Sequence, residues 1–312
     1  MKRFLVVGDV NVDIILSGID GLPILGQERC CDVFAMLLGG SSANCASCLA
    51  GLGAAVDFWG KVGCDALGDF VLRELQQRHI HASCMIQDST IRTGACVALS
   101  YSSDRALISY MASIGSLRLE DLPLEQVGQY DHLHSGSIFI QQGLRADFGK
   151  LFKAAKEQGL TTSLDSGWDP AEHWQVDIQG LLPYVDYFLP NEAEALHLSH
   201  KGSVEDAADE LSRFGKTIVV KRGKEGALAR SGSQVWLAPA FKIESVETTG
   251  AGDCFNAGLL YALIEKGRAL PEALQFANGC GAIGASTPGG TSASPSADEV
   301  DRFIEERLAR GP

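Results

Sequence analysis

Apolar residues along this chain fall into short runs and helically spaced stretches. Residues 4–8 and 217–221 are short apolar runs, typical of buried strands. From about residue 130, strand and helix patterns follow one another. Predicted strands cover residues 132–136, 160–165, 184–189 and 217–221, with helices over 143–158, 204–214, 253–266, 271–286 and 296–309. This alternation predicts a mostly parallel sheet with helices on both faces.

A second set of extended segments lies in the first third of the chain. Residues 11–16 alternate between polar and apolar, and residues 28–38 give another extended stretch. Residues 93–101 and 106–111 flank a polar turn, which is typical of a β-hairpin. We therefore predict a small separate sheet from about residues 10–35 and 93–111, placed as a lid that closes over a site.

A glycine-rich helix start near the C-terminus carries the strongest chemical signal. Gly250 and Gly252 precede a helical pattern and have no side chain to block a ligand. Backbone N–H groups at a helix start attract anions, so the neighbouring Asp253 would repel the ligand unless it has a proton to remove. The combination indicates phosphoryl transfer to a hydroxyl group, with Asp253 as base. The alternative is that Asp253 only caps the helix.

A similar helix start occurs near the N-terminus. Gly39 and Gly40 precede a stretch of small residues with a helical pattern, and Asn44 falls in its first turns. Asn11 and Asp13 follow the first buried strand, where polar groups of an α/β sheet reach ligands. Asp13 is equally compatible with turn chemistry or with a charge on an edge strand.

Composition narrows the function classes. The chain has 312 residues, 46% of them hydrophobic, and a formal net charge of −13. Such an acidic surface argues against nucleic acid or an anionic membrane as the main partner. No stretch reaches the roughly 18 apolar residues of a membrane span, and the first apolar run is too short for a signal peptide, so we predict a cytoplasmic protein. The GxGxxG match at residues 279–284 lies inside a helical pattern, which disfavours a dinucleotide oxidoreductase.

Together the two helix starts resemble the signatures of a known family. Residues 39–44 and 247–255 are similar to the two motifs of the ribokinase-like, or PfkB, family of carbohydrate kinases, and the order of strands and helices fits over the whole chain. The resemblance implies one kinase domain over residues 1–312. The implied fold is a ribokinase-like three-layer α/β/α architecture with a mostly parallel central sheet and a small β-sheet lid. The implied activity is ATP-dependent phosphorylation of a sugar hydroxymethyl group.

The resemblance also implies roles for individual residues. Asp253 would be the general base, and the backbone of Gly250, Ala251 and Gly252 would form the anion hole. Besides Asp253, the sugar-binding residues would be Asn11, Asp13, Gly39, Gly40 and Asn44. The nucleotide-binding residues would be Asn191, Lys221, Gly223, Gly226, Gly252 and Asn278.

The metal ions implied by the resemblance have separate candidate ligands. Asn191 and Glu194 match an Asn-x-x-Glu motif that organises Mg²⁺ and the phosphates, often through water, although Asn191 is also a good helix cap. Glu247 and Thr249 stand where cation-activated members bind a monovalent ion. The family usually has Asp at position 247, and the longer Glu would displace or abolish that ion site. The sequence therefore leaves dependence on K⁺ open.

The sequence also leaves the substrate open. Ser41 stands where ribokinase itself typically has Lys, so ribose is not specifically favoured. Further candidate substrate contacts are Ser137, Gln141 and Gln142, with Arg105 at the tip of the lid. The alternatives are a nucleoside kinase of the same fold and a catalytically silent sugar-binding regulator. By analogy with the family, we predict a homodimer formed through the lid.

Overall fold

The structure is a computed structural model that describes residues 1–101, 105–243, 250–287 and 294–309. The strands are β1 Arg3–Val7, β2 Asn11–Ser17, β3 Val33–Gly39, β4 Ala55–Trp59, β5 Lys61–Gly63, β6 Ile86–Asp88, β7 Ala95–Ser100, β8 Arg105–Tyr110, β9 His132–Ser135, β10 Thr161–Leu164, β11 Tyr187–Phe188, β12 Thr217–Lys221, β13 Ala227–Ser231 and β14 Gln234–Ala238. The helices are α1 Ser41–Gly51, α2 Ala66–Gln77, α3 Phe148–Glu157, α4 Ile178–Leu181, α5 Glu192–Ser199, α6 Val204–Leu211, α7 Ala251–Leu260, α8 Leu270–Ser286 and α9 Ala297–Ala309.

The large sheet organises the molecule. Over the described ranges it has eight strands in the order β14-β13-β12-β11-β10-β9-β1-β4. The run from β4 to β12 is parallel, and the β13–β14 hairpin adds two antiparallel strands at one edge. The prediction of a mostly parallel central sheet is confirmed.

Hydrophobic cores lie on both faces of this sheet. Along β1, Phe4 and Val6 pack into one core, while Leu5 and Val7 pack into the other, because successive strand residues point to opposite faces. The first core is covered by α1, α2, α7, α8 and α9, and the second by α3, α4, α5 and α6. The molecule therefore has the three-layer α/β/α architecture predicted from the sequence.

A small second sheet has the strand order β3-β2-β7-β8. The hairpin predicted at residues 93–111 is present as antiparallel β7 and β8, although its turn residues lie outside the described ranges. The extended stretch predicted over residues 28–38 becomes a strand only at Val33, and it continues to Gly39. The small sheet therefore runs directly into Gly40 and the start of α1.

Helix ends differ from the prediction, as α3 and α7 illustrate. The helix predicted over residues 143–158 begins at Phe148, because residues 145–147 form a tighter 3₁₀ turn. The helix predicted from residue 253 begins two residues earlier, at Ala251, and continues as a π-helical turn over Tyr261–Glu265. Within the ranges that the structure describes, no helix is both long enough and apolar enough to cross a membrane.

Candidate active site

A cavity of about 780 Å³ opens at the carboxyl ends of the parallel strands. Asp165 follows β10, Asn191 follows β11 and Lys221 ends β12, and all three line the cavity. Ligands of open α/β sheets bind at this edge because loops and helix starts converge there. The cavity also reaches the starts of α1 and α7, so it brings both predicted glycine motifs to one place.

The start of α7 has the backbone geometry of an anion-binding helix start. Gly250 has φ of 76°, a left-handed conformation that suits glycine, and it turns the chain into the helix. No side chain among the described residues caps this helix start. The cavity is lined by Gly250, Ala251 and Gly252, where the first N–H groups of a helix have no partner within the helix. The geometry favours a negatively charged ligand at this point.

Asp253 lies in the first turn of α7 and faces α1. It accepts hydrogen bonds from Ser41 Oγ at 2.7 Å and from Asn44 Nδ2 at 3.1 Å. Removal from water, followed by the charge of nearby Asp165, raises the pKa of Asp253 to about 7. Asp253 does not cap its own helix, because no side-chain cap is present there. A carboxylate with this pKa suits a general base at neutral pH.

The start of α1 depends on a residue that sequence reasoning missed. Asp9 accepts hydrogen bonds from the N–H of Ser41 at 2.7 Å, from the N–H of Ser42 at 3.1 Å and from Ser42 Oγ at 2.6 Å. Gly40 has φ of 100°, and a Cβ there would lie 2.7 Å from the Asp9 carbonyl oxygen. Burial raises the pKa of Asp9. Asp9 therefore replaces an ordinary N-cap, and its position directly after the first buried strand was the available signal.

The predicted sugar-binding residues lie where the small sheet meets α1. Asn11 pairs with Gly39 across β2 and β3, and Asn11 Nδ2 donates to Asp13 Oδ1 at 2.6 Å. A side chain at Gly39 would collide with the Asp13 carboxylate. Asn44, one turn into α1, is buried beside Asp253. The structure thus brings these predicted residues to the junction between the lid and the core.

Asn191 and Glu194 form a reciprocal cap at the start of α5. The Asn191 side chain accepts from the Glu194 N–H at 2.9 Å, while the Asn191 N–H donates to Glu194 Oε2 at 3.0 Å. Glu194 Oε2 also accepts from Ser166 Oγ at 2.9 Å. Burial, followed by the charge of Asp165, raises the pKa of Glu194 to about 6. Both residues line the cavity as well, so the capping interpretation and the ligand interpretation are compatible.

Lys221 belongs to a buried polar cluster whose other members were not predicted. Its Nζ forms an ion pair with Asp165, and Asn256 Nδ2 donates to the same carboxylate. Burial alone would raise the pKa of Asp165, but the charge of Lys221 together with hydrogen bonds from Lys221, Asn256 and the Gly167 N–H lowers it below its usual value. The pattern of polar residues after buried strands applied to Asp165 too, but the contact with Asn256 depends on how α7 packs on the sheet.

The nucleotide loop predicted after β12 forms one wall of the cavity. Gly223 and Gly226 have φ of 53° and 91°, and both line the cavity. A side chain at Gly226 would collide with the carbonyl oxygen of Ala238. Asn278 Nδ2 donates to the carbonyl oxygens of Ala238 and Pro239 at 3.0 and 3.1 Å. Asn278 thus holds in place the segment after β14, which contributes Phe241 and Ile243 to the cavity wall.

The remaining candidates fall in different places. Ser137 lines the cavity with φ of 55°, while Gln141 is buried and donates to the Gly136 carbonyl oxygen. Gln142 is exposed to solvent. Arg105 begins β8 at an edge of the small sheet, but its side chain lies outside the described residues. The predicted monovalent-cation residues Glu247 and Thr249 also lie outside the described residues.

The donor set at Asn191 and Glu194 suits Mg²⁺. No group of three or more His, Cys, Asp or Glu side chains that could hold a metal occurs in the described part of the chain. Magnesium is commonly held by one or two carboxylates together with waters and substrate phosphates, and needs no larger protein cluster. The buried Glu194 carboxylate lines the same cavity as the helix start at Gly250–Gly252, which fits that pattern.

Comparisons with known proteins agree with this geometry. Residues 1–297 match the family model described as pfkB family carbohydrate kinase. The chain is 27% identical over 307 residues to a ribokinase of Bacillus subtilis, covering 97% of this chain and 100% of that protein. It is 30% identical over 314 residues to a fructokinase of Klebsiella pneumoniae, covering 96% and 98%. The solved structure of a putative ribokinase II of E. coli in complex with ATP and Mg²⁺ has 25% identity and a TM-score of 0.86, covering 98% and 99%.

The family follows from these matches and from the site. The chain belongs to the pfkB family of carbohydrate kinases. It is a sugar kinase, since the family model spans nearly the whole chain and relatives of full length are kinases of simple sugars.

Proposed function

We propose that this protein transfers the γ-phosphoryl group of ATP to the hydroxymethyl group of a monosaccharide. One observation carries the proposal: Asp253, with a pKa near 7, lies in the first turn of α7, where no described side chain caps the helix, and accepts a hydrogen bond from the predicted sugar-binding residue Asn44 of α1. Phosphoryl transfer to a hydroxyl group requires a base next to a site that binds the charged phosphoryl group, and the start of α7 offers both.

The acceptor hydroxyl group meets the Asp253 carboxylate. Asp253 takes the proton as the hydroxyl oxygen forms its new bond to phosphorus, and the bond between phosphorus and the ADP oxygen breaks. The N–H groups of Ala251 and Gly252 stabilise the charge on the transferred group. Ser41 and Asn44 hold the carboxylate by hydrogen bonds, so it is already oriented before the substrate enters.

The nucleotide lies along the cavity wall between the Gly223–Glu225 turn and α8. Phe241, Ile243 and Ala282 give this wall apolar surface suited to a purine ring. The phosphates extend from there towards Gly250–Gly252. Glu194 and Asn191 would hold Mg²⁺, directly or through water, and the ion would supply positive charge to offset that of the phosphates.

The sugar lies under the small sheet, which serves as the lid of a single kinase domain. Asn11, Asp13 and Asn44 offer carboxylate and amide groups for sugar hydroxyls, and the backbone of Gly39 and Gly40 allows close approach. We propose that the lid closes on sugar binding and excludes water from the base. Slower hydrogen exchange in β2 and β7 on sugar addition is the expected signature.

Kinase function is favoured over the two alternatives that the sequence left open. A silent regulator has no need for a carboxylate whose burial costs stability, and Asp253 is such a carboxylate. A nucleoside kinase would stack the acceptor base on an aromatic ring. The predicted acceptor contacts Asn11, Asp13 and Asn44 are polar, so a sugar is the better match.

ADP release with Mg–ATP tests the proposal across sugars, sugar acids, inositols and nucleosides. We expect turnover with a sugar and a loss of at least about 1,000-fold in kcat for Asp253→Asn. Asp69→Asn is the matched control, because Asp69 also lies in the first turn of a helix but is exposed on α2. Near-normal turnover by Asp253→Asn would exclude it as the base. Running the panel with and without K⁺ tests whether a monovalent ion is required, a question that Glu247 and Thr249 left open.

We also propose that the protein forms a homodimer through the lid. The strand register places Met36, Ile14, Val97 and Ile108 in one row across the four strands, and Phe34, Leu16, Leu99 and Ala106 in the next. Opposed residues share a face, so one side of the lid is apolar over both rows. Phe34 and Ile108 are 67% and 64% exposed. A second copy of this sheet is the partner that matches such a face and the adjoining strand edges.

A further inference from the structure

The described lining of the cavity combines three carboxylates with one largely buried ammonium group. Asp165, Glu194 and Asp253 all line the cavity, and each raises the pKa of Lys221. The Lys221 side chain is 13% exposed. Lys224, by contrast, lines the cavity from an exposed position. A polyphosphate that enters the cavity therefore meets strong negative charge, and Lys221 is the one largely buried cation in the described lining.

The ammonium group of Lys221 lies beside the proposed anion hole. If Gly252 carried a Cβ, its nearest neighbour beyond the adjacent residues and its own helix backbone would be Lys221 Nζ, at 3.7 Å. The space that glycine leaves open at this point thus borders directly on the ammonium group. The start of α1 faces the same space with Ser41, whose hydroxyl group donates to Asp253 and brings no positive charge.

The orientation of Lys221 is set by a buried partner. Asp165 forms an ion pair with Nζ, and Asn256 donates to the same carboxylate from α7, one turn after Asp253. Asp165 is itself buried, with Asn256 fully buried behind it. A long lysine side chain is otherwise mobile, and this contact holds its charge at the carboxyl end of β12.

We propose that Lys221 is a catalytic residue, whose ammonium group contacts the phosphoryl group in transfer, and that Asp165 is its positioning residue. The inference rests on the proposed kinase function and goes beyond nucleotide binding, since it assigns Lys221 to the γ-phosphoryl group. The acceptor oxygen forms a bond to phosphorus, the bond from phosphorus to the ADP oxygen breaks, and Asp253 receives the acceptor proton. Lys221 stays protonated throughout and stabilises the charge on the equatorial oxygens.

Nucleotide binding tests this assignment without knowledge of the sugar. The probes are Mg–ADP and the Mg complex of a non-hydrolysable ATP analogue, measured by calorimetry on wild type, Lys221→Met, Lys221→Arg and the exposed control Lys150→Met. We expect Lys221→Met to lose at least tenfold in affinity for the analogue and less than threefold for ADP. Lys221→Arg should recover most of the loss, and Lys150→Met should match wild type. Equal losses for both nucleotides, or no loss, would overturn the assignment.

The pH profile separates a catalytic role from a structural one. Lys221 lowers the pKa of Asp253 and Asp165 raises it. With the sugar that gives the fastest ADP release, the acid limb of kcat/KM should therefore move to higher pH in Lys221→Met and to lower pH in Asp165→Asn. We expect kcat of Lys221→Met to fall at least 100-fold while KM for the sugar changes less than threefold. An unmoved acid limb with unchanged kcat contradicts the proposal.

Loss of folding is controlled by a second variant. Lys221→Met leaves Asp165 buried without its cation, which destabilises a protein. The double variant Asp165→Asn/Lys221→Met removes both charges and leaves no unpaired ion, so thermal unfolding should report a folded protein. It should still lack the preference for the ATP analogue over ADP, and a retained preference would overturn the role of Lys221. Wild type that binds neither nucleotide would instead overturn the proposed kinase function.

Discussion

The hydroxyl group of Ser41 donates a 2.7 Å hydrogen bond to Asp253, a residue 212 positions away in the chain. Each residue lies at a helix start that follows glycine, and the bond joins these two starts at one carboxylate. Asn44 Nδ2 donates to the other carboxylate oxygen at 3.1 Å. In the proposed mechanism, helix α1 both supplies the predicted sugar contact Asn44 and orients the base, so sugar binding and proton removal would depend on the same helix.

The pKa of Asp253 predicts the pH dependence of turnover. Burial raises this pKa to about 7, and a general base acts only when it is deprotonated. We expect kcat/KM to be level above pH 7 and to fall about tenfold per pH unit below it. A pH–rate profile at fixed ionic strength measures this. An acid limb near pH 4, the ordinary range of an exposed Asp, would show that another group limits the rate.

Removal of the Ser41 hydroxyl group should shift that profile. The hydrogen bond from Ser41 lowers the pKa of Asp253, so Ser41→Ala should raise it and move the acid limb to higher pH. We expect kcat at pH 7 to fall by about three- to tenfold, with most of the loss recovered at pH 9. Ser47→Ala is the control in the same helix, because the Ser47 hydroxyl donates to the Ala43 carbonyl oxygen within that helix. If both variants shift alike, Ser41 has no specific effect on the base.

A methyl group at Gly252 tests the anion hole without disturbing the fold. The nearest atom to an added Cβ is Lys221 Nζ at 3.7 Å, an ordinary contact, so Gly252→Ala should fold normally. The methyl group would fill the space proposed for the phosphoryl group, and we expect kcat/KM to fall at least about 100-fold. Circular dichroism and ADP release measure the two effects.

Gly258→Ala provides the contrast on the same helix. A Cβ at Gly258 would lie 2.5 Å from Cys280 Sγ, so this variant should lose about 1–3 kcal/mol of stability through overpacking. The site itself is unchanged in this variant, so folded Gly258→Ala protein should keep most of its activity. Full activity in Gly252→Ala would place the phosphoryl group elsewhere.

A charge on the apolar lid face should separate the proposed dimer. Phe34→Asp introduces a carboxylate into a face that we propose is buried between copies, so the variant should sediment as a monomer. Ser109→Asp is the control, because Ser109 lies on β8 in the same sheet but alternates to the opposite face from Ile108. Analytical ultracentrifugation distinguishes the species. Wild type that sediments as a monomer at micromolar concentration contradicts the dimer.

The sequence predicted the parts of the site that local patterns encode. Gly40 and Gly250 precede helices because each helix start needs a residue that tolerates positive φ or close packing. Glycine is that residue, so both helix starts can be recognised from the sequence. Asp165 and Asn256 were missed, because their contact depends on strand order and on which face of α7 meets the sheet. Asp9 was missed for a similar reason: its carboxylate caps a helix that starts 32 residues later.

The strand register added information that hydrophobic alternation alone did not provide. Residues 11–16 alternate in the sequence, but only the pairing of β2 with β3 and β7 shows that Ile14 and Leu16 belong to a continuous apolar face. The same pairing puts Asp13 on the other face of the sheet, beside Gly39. One strand therefore carries a predicted sugar contact on one side and the proposed dimer surface on the other.

The raised pKa of Asp253 also has a thermodynamic meaning. A carboxyl group whose pKa rises from 3.8 to about 7 on folding makes the folded state less stable as pH increases between these values. Three pKa units correspond to at most about 4 kcal/mol, comparable to a large part of the net stability of a domain. The molecule is thus less stable in the protonation state in which Asp253 would act as the proposed base. Selection for thermal stability alone would favour asparagine at position 253, so the proposed catalytic role and thermal stability make opposite demands on this residue.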